Sequence, residues 1–229
     1  MSFRQRLSLT VEESSNLRNT CLIAAKLFNA FGSRTDQSEI NYGPGRVASQ
    51  SMSVRSPTDI DASFDAPVEI APYDAAWPAM FEAERSLLES VLAPWMCASI
   101  EHIGSTAVPG LPAKPIIDIM GPVRDLQACR PAICALLPAG YCYFPYKPDV
   151  MLWFCKPSPE MRTHHLHLVP FESALWKERL VFRDALRSNQ TLVAQYTELK
   201  VGLAERFRFD REAYTEGKTA FVDRVLAGL

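Results

Sequence analysis

The sequence predicts an α+β domain: a small mixed sheet flanked by helices and followed by a helical C-terminal portion. Three observations carry the prediction. Short apolar runs, "MCASIEHIG", "KPIIDIMGPV", "VMLWFCK" and "HHLHLVPF", are bounded by Gly, Pro or polar turns and read as strands. Segments of helical spacing precede and interrupt them. From Leu175 onward the apolar residues fall into helical stripes.

The bulk composition excludes several classes. A chain of 229 residues suits one sizeable domain, or one domain with an appendage. With 48% apolar and 22% charged residues it is ordinary for a soluble globular protein. A net charge of −2 gives no electrostatic footprint for nucleic acid. No apolar run approaches the roughly 20 residues needed to span a bilayer. The longest N-terminal candidate, "CLIAAKLFNAF", carries Lys26 and lies too deep for a signal-peptide core. The cysteines at 21, 97, 129, 134, 142 and 155 contain no C-x-x-C pair, so neither a zinc knuckle nor a redox dithiol is indicated. Free thiols and a cytoplasmic location are the plain reading.

Residues 1–66 read as a flexible extension. "VEESSNLRNTCLIAAKLFNAFG" has helical spacing at Leu17, Ile23, Leu27 and Phe31 and a stop at Gly32, predicting a short helix. The Ser/Gly/Pro/Asp-rich stretch after it buries too little apolar surface to offset its ordering entropy. Met52 is an alternative start. "DIDASFD" begins like a calcium loop, but Phe64 stands where the turn needs Gly and Ile70 where the final Glu belongs, so that reading fails.

Residues 67–229 read as one compact domain. "PVEIAPYD" is a strand and turn. A helix follows through Trp77, Phe81, Leu88 and Val91 or Leu92, ending at Pro94. After the first two strands comes a short helix, "DLQACRPAICALLPAGY", with a glycine stop near Gly140. The next two strands form a hairpin across the turn "PSPEMRT". The helical tail carries three stripes: Leu175, Phe182 and Leu186; Leu192, Tyr196, Leu199 and Leu203; Tyr214, Phe221 and Val225.

One residue breaks the pattern. A strand through "PIIDIM" places Ile116, Asp118 and Met120 on one face and Ile117 and Ile119 on the other. A carboxylate among apolar residues needs a metal or a cation beside it, and an ion pair with Lys114 or an arginine is the structural alternative. Just before it, Gly104, Ser105 and Thr106 offer backbone N–H groups and two hydroxyls at a strand-to-turn junction, where a phosphate can be cradled. In "RTHHLHLV", His165 and His167 share one side of a strand, and with an acid from a neighbouring strand they make a metal site or an acid–base cluster. The remaining candidates are His102 beside the turn, Arg162 on the hairpin, Arg183 and Arg187 on a helix with Asp184, and Lys218 in "EGKTAF". Lys114, held extended by the proline after it, is the best placed cation. Trp153, Trp176 and Phe182 read as core.

The segments "IEHIGSTAVPGLPAKPIIDIM", "RTHHLHLV", "LVFRDALRSN", "YTELKVGLA" and "YTEGKTAFV" resemble, in this order, the GrpB-like family, a predicted branch of the nucleotidyltransferase superfamily with the polymerase-beta-like fold. The resemblance runs from about Val68 to Leu229. It implies a small mixed sheet flanked by helices, and it implies roles. Gly104, Ser105 and Thr106 would hold nucleotide phosphates with Lys114, and Asp118 would bind a divalent metal. The superfamily pattern places a second carboxylate at the position of Met120 and a third on a later strand, where this chain offers His165 and His167. Magnesium or manganese would serve a transferase; manganese, zinc or iron suits an Asp/His/His set better.

The resemblance therefore implies a metal-dependent nucleotidyltransferase acting on a nucleotide or phosphorylated small molecule, with Asp118, His165 and His167 as metal-binding and catalytic residues. Against it stands a non-catalytic binding module, since family domains also occur fused to dephospho-coenzyme A kinase. A single-metal Asp/His/His enzyme is the third expectation.

Overall fold

A computed structural model describes residues 66–228. The helix, linker and alternative start expected within residues 1–65 lie outside the described residues. The elements are α1 (Trp77–Leu92), β1 (Glu101–Ile103), β2 (Ile117–Val123), α2 (Ala132–Leu136), β3 (Cys142–Phe144), β4 (Leu152–Pro157), β5 (Arg162–Pro170), α3 (Ala174–Ser188), α4 (Gln190–Arg206), α5 (Arg211–Glu216) and α6 (Thr219–Ala227). Single 3-10 turns cover Ser105–Ala107 and Leu137–Ala139.

The strands form one mixed sheet in the order β1-β2-β5-β4-β3. β2 and β5 run parallel at its centre, and every other pairing is antiparallel. The α+β architecture expected from the sequence is thus the architecture found. Three segments differ in detail. "PVEIAPYD" contributes only an isolated bridge between Ala71 and Ala113, because Pro72 has no N–H with which to extend a ladder. "MCASIEHIG" contracts to three residues plus a bridge from Met96 to Val123. β3, which the pattern does not announce, pairs with β4 and closes the sheet on that side.

The two faces of the sheet have different tasks. On one, Ile117, Ile119, Phe154, Leu166 and Leu168 pack against Trp77, Phe81, Leu88 and Leu92 of α1 and Ala132 and Leu136 of α2. On the other, Ile103, Met120 and Val169 pack against Trp176 of α3. A separate cluster joins Val108 and Leu111, in the connection between β1 and β2, to Leu186 of α3, Tyr196 of α4 and Phe221 and Val225 of α6.

The later helices start where the sequence gives them caps. Ser173 accepts from Trp176 N–H, Asn189 from Thr191 and Leu192 N–H, and Asp210 from Ala213 N–H. The helices then grip β1 and the connection after it through backbone carbonyls. Arg183 donates to His102 O at 3.0 Å and Arg187 to Ala107 O at 2.9 Å, and Lys200 donates to Pro112 O. Free thiols are found at Cys97, Cys129, Cys142 and Cys155, whereas Cys134, also expected free, is disulfide-bonded. No described helix is long and apolar enough to cross a membrane.

Candidate functional site

The register of β2 against β5 builds the site. Asp118 lies beside His165, and Met120 beside His167, so the acid and both imidazoles point to the same face. Asp118 Oδ1 is 2.9 Å from His165 Nδ1 and 4.0 Å from His167 Nε2. Gly104 supplies the clearance. Its φ of 72° and ψ of −170° fall in a region that only glycine adopts readily, and a Cβ there would collide with the Asp118 carboxylate. The glycine of the turn and the acid of the next strand are one steric unit.

Electrostatics fix the protonation pattern. Burial opposes the charge on Asp118, but the hydrogen bond from His165 and the charges of His165, His167 and Arg179 outweigh it, holding the carboxyl down to about 2. An ionised carboxylate only accepts, so His165 Nδ1–H donates to it. In the neutral ring this leaves the lone pair on Nε2, an atom that is buried without a hydrogen-bond partner. Burial, reinforced by Arg179, lowers His167 to about 3, so its imidazole is neutral at neutral pH. Its Nδ1 lies 3.5 Å from Met151 Sδ, which accepts, so the lone pair is on Nε2, on the side of Asp118.

This set fits one metal ion. Asp118, His165 and His167 each offer a ligand atom, all within 4.8 Å of one another; on His165 that atom is Nδ1, so an ion there would replace the proton now donated to Asp118. A two-metal carboxylate cage does not fit. The position of the second carboxylate is Met120, 0% exposed and packed with Ile103, Val169 and Trp176.

The other expected residues divide. Ser105 stays at the site: its hydroxyl accepts from Lys200 Nζ at 3.2 Å. Lys218 also belongs here, half-buried and acted on by Asp118. Thr106 does not line a phosphate cradle; it is buried, donating to Ile116 O and accepting from His102 Nε2–H. His102 points to the opposite face, stacked on Phe81 at 4.6 Å. Arg183 forms an ion pair with Glu101 at 2.7 Å and Arg187 donates to the Ala107 carbonyl. Arg162 lies over the Trp153 ring at 5.3 Å. Trp153, expected in the core, is half-buried on the site face with its ring 5.1 Å from that of His165. Lys114 is half-buried at the entrance to β2, and Arg179 and Lys218 are cations whose charges act with Asp118.

Sequence reasoning passed over Arg179 and Lys200 and took Tyr196 and Tyr214 for plain core. The signal was there in the helical spacing. Lys200 is four residues after Tyr196 and continues its buried stripe; Lys218, four after Tyr214, and Arg179, three after Trp176, keep the spacing, though Lys218 lies past the end of α5 and Arg179 is exposed.

Comparison with known proteins agrees with this architecture. A family model described as GrpB protein matches residues 67–227. A UPF0157 protein of Pseudomonas aeruginosa is 42% identical over 167 residues, 69% of this chain and 66% of that protein. The glutamate-rich protein GrpB of Alkalihalophilus pseudofirmus is 35% identical over 155 residues, 66% of this chain and 88% of that one. The crystal structure of conserved protein GrpB from Enterococcus faecalis superposes with a TM-score of 0.64 at 31% identity, covering 70% of this chain and 96% of that one. The chain belongs to the GrpB family.

Proposed function

We propose that this chain is a single-metal, nucleotidyltransferase-like enzyme that binds a nucleotide or another phosphorylated small molecule in the Asp118 cleft and passes a nucleotidyl group to an acceptor. The observation that supports this reading is the Asp118–His165–His167 cluster set against the Gly104–Ser105 turn. These three side chains would hold a divalent metal, and their mixed N and O donors favour manganese, zinc or iron over magnesium. When bound, the metal would neutralise charge on a phosphoryl oxygen. Asp118 orients the His165 ring, and Gly104 keeps the carboxylate within reach of a ligand. Ser105 presents its hydroxyl and N–H to a phosphate.

Calorimetry with Mn²⁺, Zn²⁺ and Mg²⁺, each with and without ATP, tests the reading on wild type and Asp118→Ala. The expected result is metal binding that depends on Asp118 and strengthens with ATP, followed by metal-dependent release of pyrophosphate. Equal metal binding by the two proteins would overturn it. Met120 favours a second reading, a non-catalytic binding module, because the buried thioether stands where a second metal ligand would be. Binding of metal and ATP with no release of pyrophosphate would select that alternative.

A further inference from the structure

The helical wall opposite the Asp118 cluster carries more positive charge than the described residues neutralise. Lys200 is the clearest case. Its side chain comes from the middle of α4, the residue is 1% exposed, and its ammonium donates to Ser105 Oγ and Pro112 O, both uncharged acceptors. Among the described residues neither Lys200, Lys218 nor Arg179 has a carboxylate oxygen within 4.0 Å. A buried cation without a counter-ion is costly, so folds seldom keep one without a reason.

The surroundings show which way these charges face. Lys218 Nζ lies over the Tyr214 ring at 4.3 Å, and Lys200 Nζ over the Tyr196 ring at 4.9 Å. Both rings are buried, and both hydroxyls feel the Asp118 carboxylate. Tyr196 is also hydrogen-bonded to Ser105. The two lysines therefore border a space shared with Asp118 and the Gly104–Ser105 turn. Arg179 acts on Asp118, Lys218 and Tyr196 from α3.

Resting on the proposed nucleotide- or phosphate-ester-binding reading of the cleft, we infer that Lys200, Lys218 and Arg179 form an anion subsite that holds a phosphoryl group of the ligand directly, without the metal. Lys200 is already desolvated and fixed before the ligand arrives, Lys218 is half-buried, and Arg179 is exposed and adds longer-range charge. A phosphate entering beside Ser105 would supply the missing counter-charge and accept from the ammonium groups. Burial loosens the proton on Lys200 to about 7 and on Lys218 to about 8, and an anion would reverse both shifts. The subsite also orders the roles of the cleft: helices grip the phosphates, and the sheet supplies the reacting side.

The test is calorimetry of tripolyphosphate binding to the full chain after removal of metal with a chelator. Wild type is expected to bind, with affinity falling as NaCl is raised. Lys200→Met and Lys218→Met should each weaken binding about tenfold, the scale of one charge-assisted hydrogen bond. Asp118→Asn should strengthen it, because a repelling carboxylate is gone. Lys200→Met keeps the shape and removes the buried charge, so its melting temperature should hold or rise, separating lost affinity from lost fold. Unchanged affinity in both lysine variants would overturn the subsite. If tripolyphosphate binds only with metal and only when Asp118 is present, the metal-site reading survives and the subsite fails. If neither tripolyphosphate nor ATP binds under any condition, both fail.

Discussion

Two acids stand on opposite faces of the same sheet, Glu84 buried and Asp118 half-buried, and the state of their neighbours differs. Glu84 of α1 is surrounded by groups that satisfy it: Tyr141 OH donates at 2.9 Å, Lys156 Nζ reaches its two oxygens at 2.9 and 3.0 Å, and His164 Nε2 lies 3.9 Å away. Asp118 has His165 at 2.9 Å and His167 at 4.0 Å, and the far nitrogen of His165 is buried without a partner. A closed polar network fastens a helix to a sheet. The other network is open, with an imidazole nitrogen left unpartnered and uncompensated charge on the facing wall, which is what the proposed ligand would complete. The presence of such an acid is therefore uninformative by itself; the state of its neighbours decides its meaning.

The largest expected effect breaks the closed network. Glu84→Gln leaves the Lys156 ammonium without its anion beside the Tyr141 ring. Removing one partner of such a pair costs about 3 kcal/mol, roughly 10 °C in melting temperature for a domain of this size. Thermal denaturation followed by circular dichroism measures it, and a loss under about 1 kcal/mol would mean that the network is not what holds α1 down. Metal affinity in the surviving folded protein should stay at the wild-type value.

Next comes the steric unit on the other face. Gly104→Ala combines an unfavourable backbone region with a collision against Asp118, for an expected loss of about 2 kcal/mol. Combining it with Asp118→Ala should recover part of that loss, because the carboxylate that the new methyl meets is gone. Additive losses in the double variant would show that the strain lies in the backbone alone.

Asp118→Asn by itself should cost less stability, about 1 kcal/mol, although it removes the carboxylate of the proposed metal site. The sign follows from the lowered carboxyl. Its folded value of about 2 lies below the ordinary 3.8, so the ionised acid stabilises the fold above that ordinary value. The contribution is lost as pH falls through about 2. Urea melts of wild type and variant at neutral pH measure the difference. A loss as large as that of Glu84→Gln would erase the contrast between the two acids.

The same contrast explains what the sequence revealed. The period-2 pattern of β2 and β5 was enough to put Asp118, His165 and His167 on common faces, and the Gly-Ser turn was visible from its composition. The helical stripe of α1 was legible too, and Glu84 sits three residues after Phe81 and four before Leu88, inside it. What could not be read was which distant group meets which. Glu84 finds Lys156 72 residues away, and Lys200 finds Ser105 95 residues away. Such pairings depend on strand order and helix docking, which local periodicity does not encode. The length of β1 and the existence of β3 were not legible for a related reason: their three residues each acquire strand geometry from their neighbours, not from their own propensity.

The smallest expected effect divides acid sensitivity between the two faces. Burial lowers His102 to about 4 and also lowers His164, both on the Glu84 face, while on the Asp118 face His167 falls to about 3. Each is a base with a depressed folded value, so the unfolded chain takes up protons first as pH drops below the ordinary 6.5. Stability present above that point is then lost progressively on the way down. His102 alone should contribute about 1 kcal/mol between about pH 7 and about pH 5.5. His102→Gln keeps an N–H donor for Thr106 and removes the titration. Its stability will be lower at every pH, because the stacking on Phe81 is lost, so the informative quantity is the slope. In metal-free protein the slope of unfolding free energy against pH should become shallower by about 1 kcal/mol over that interval. An unchanged slope would assign the acid sensitivity to His164 and His167 and remove His102 from the account.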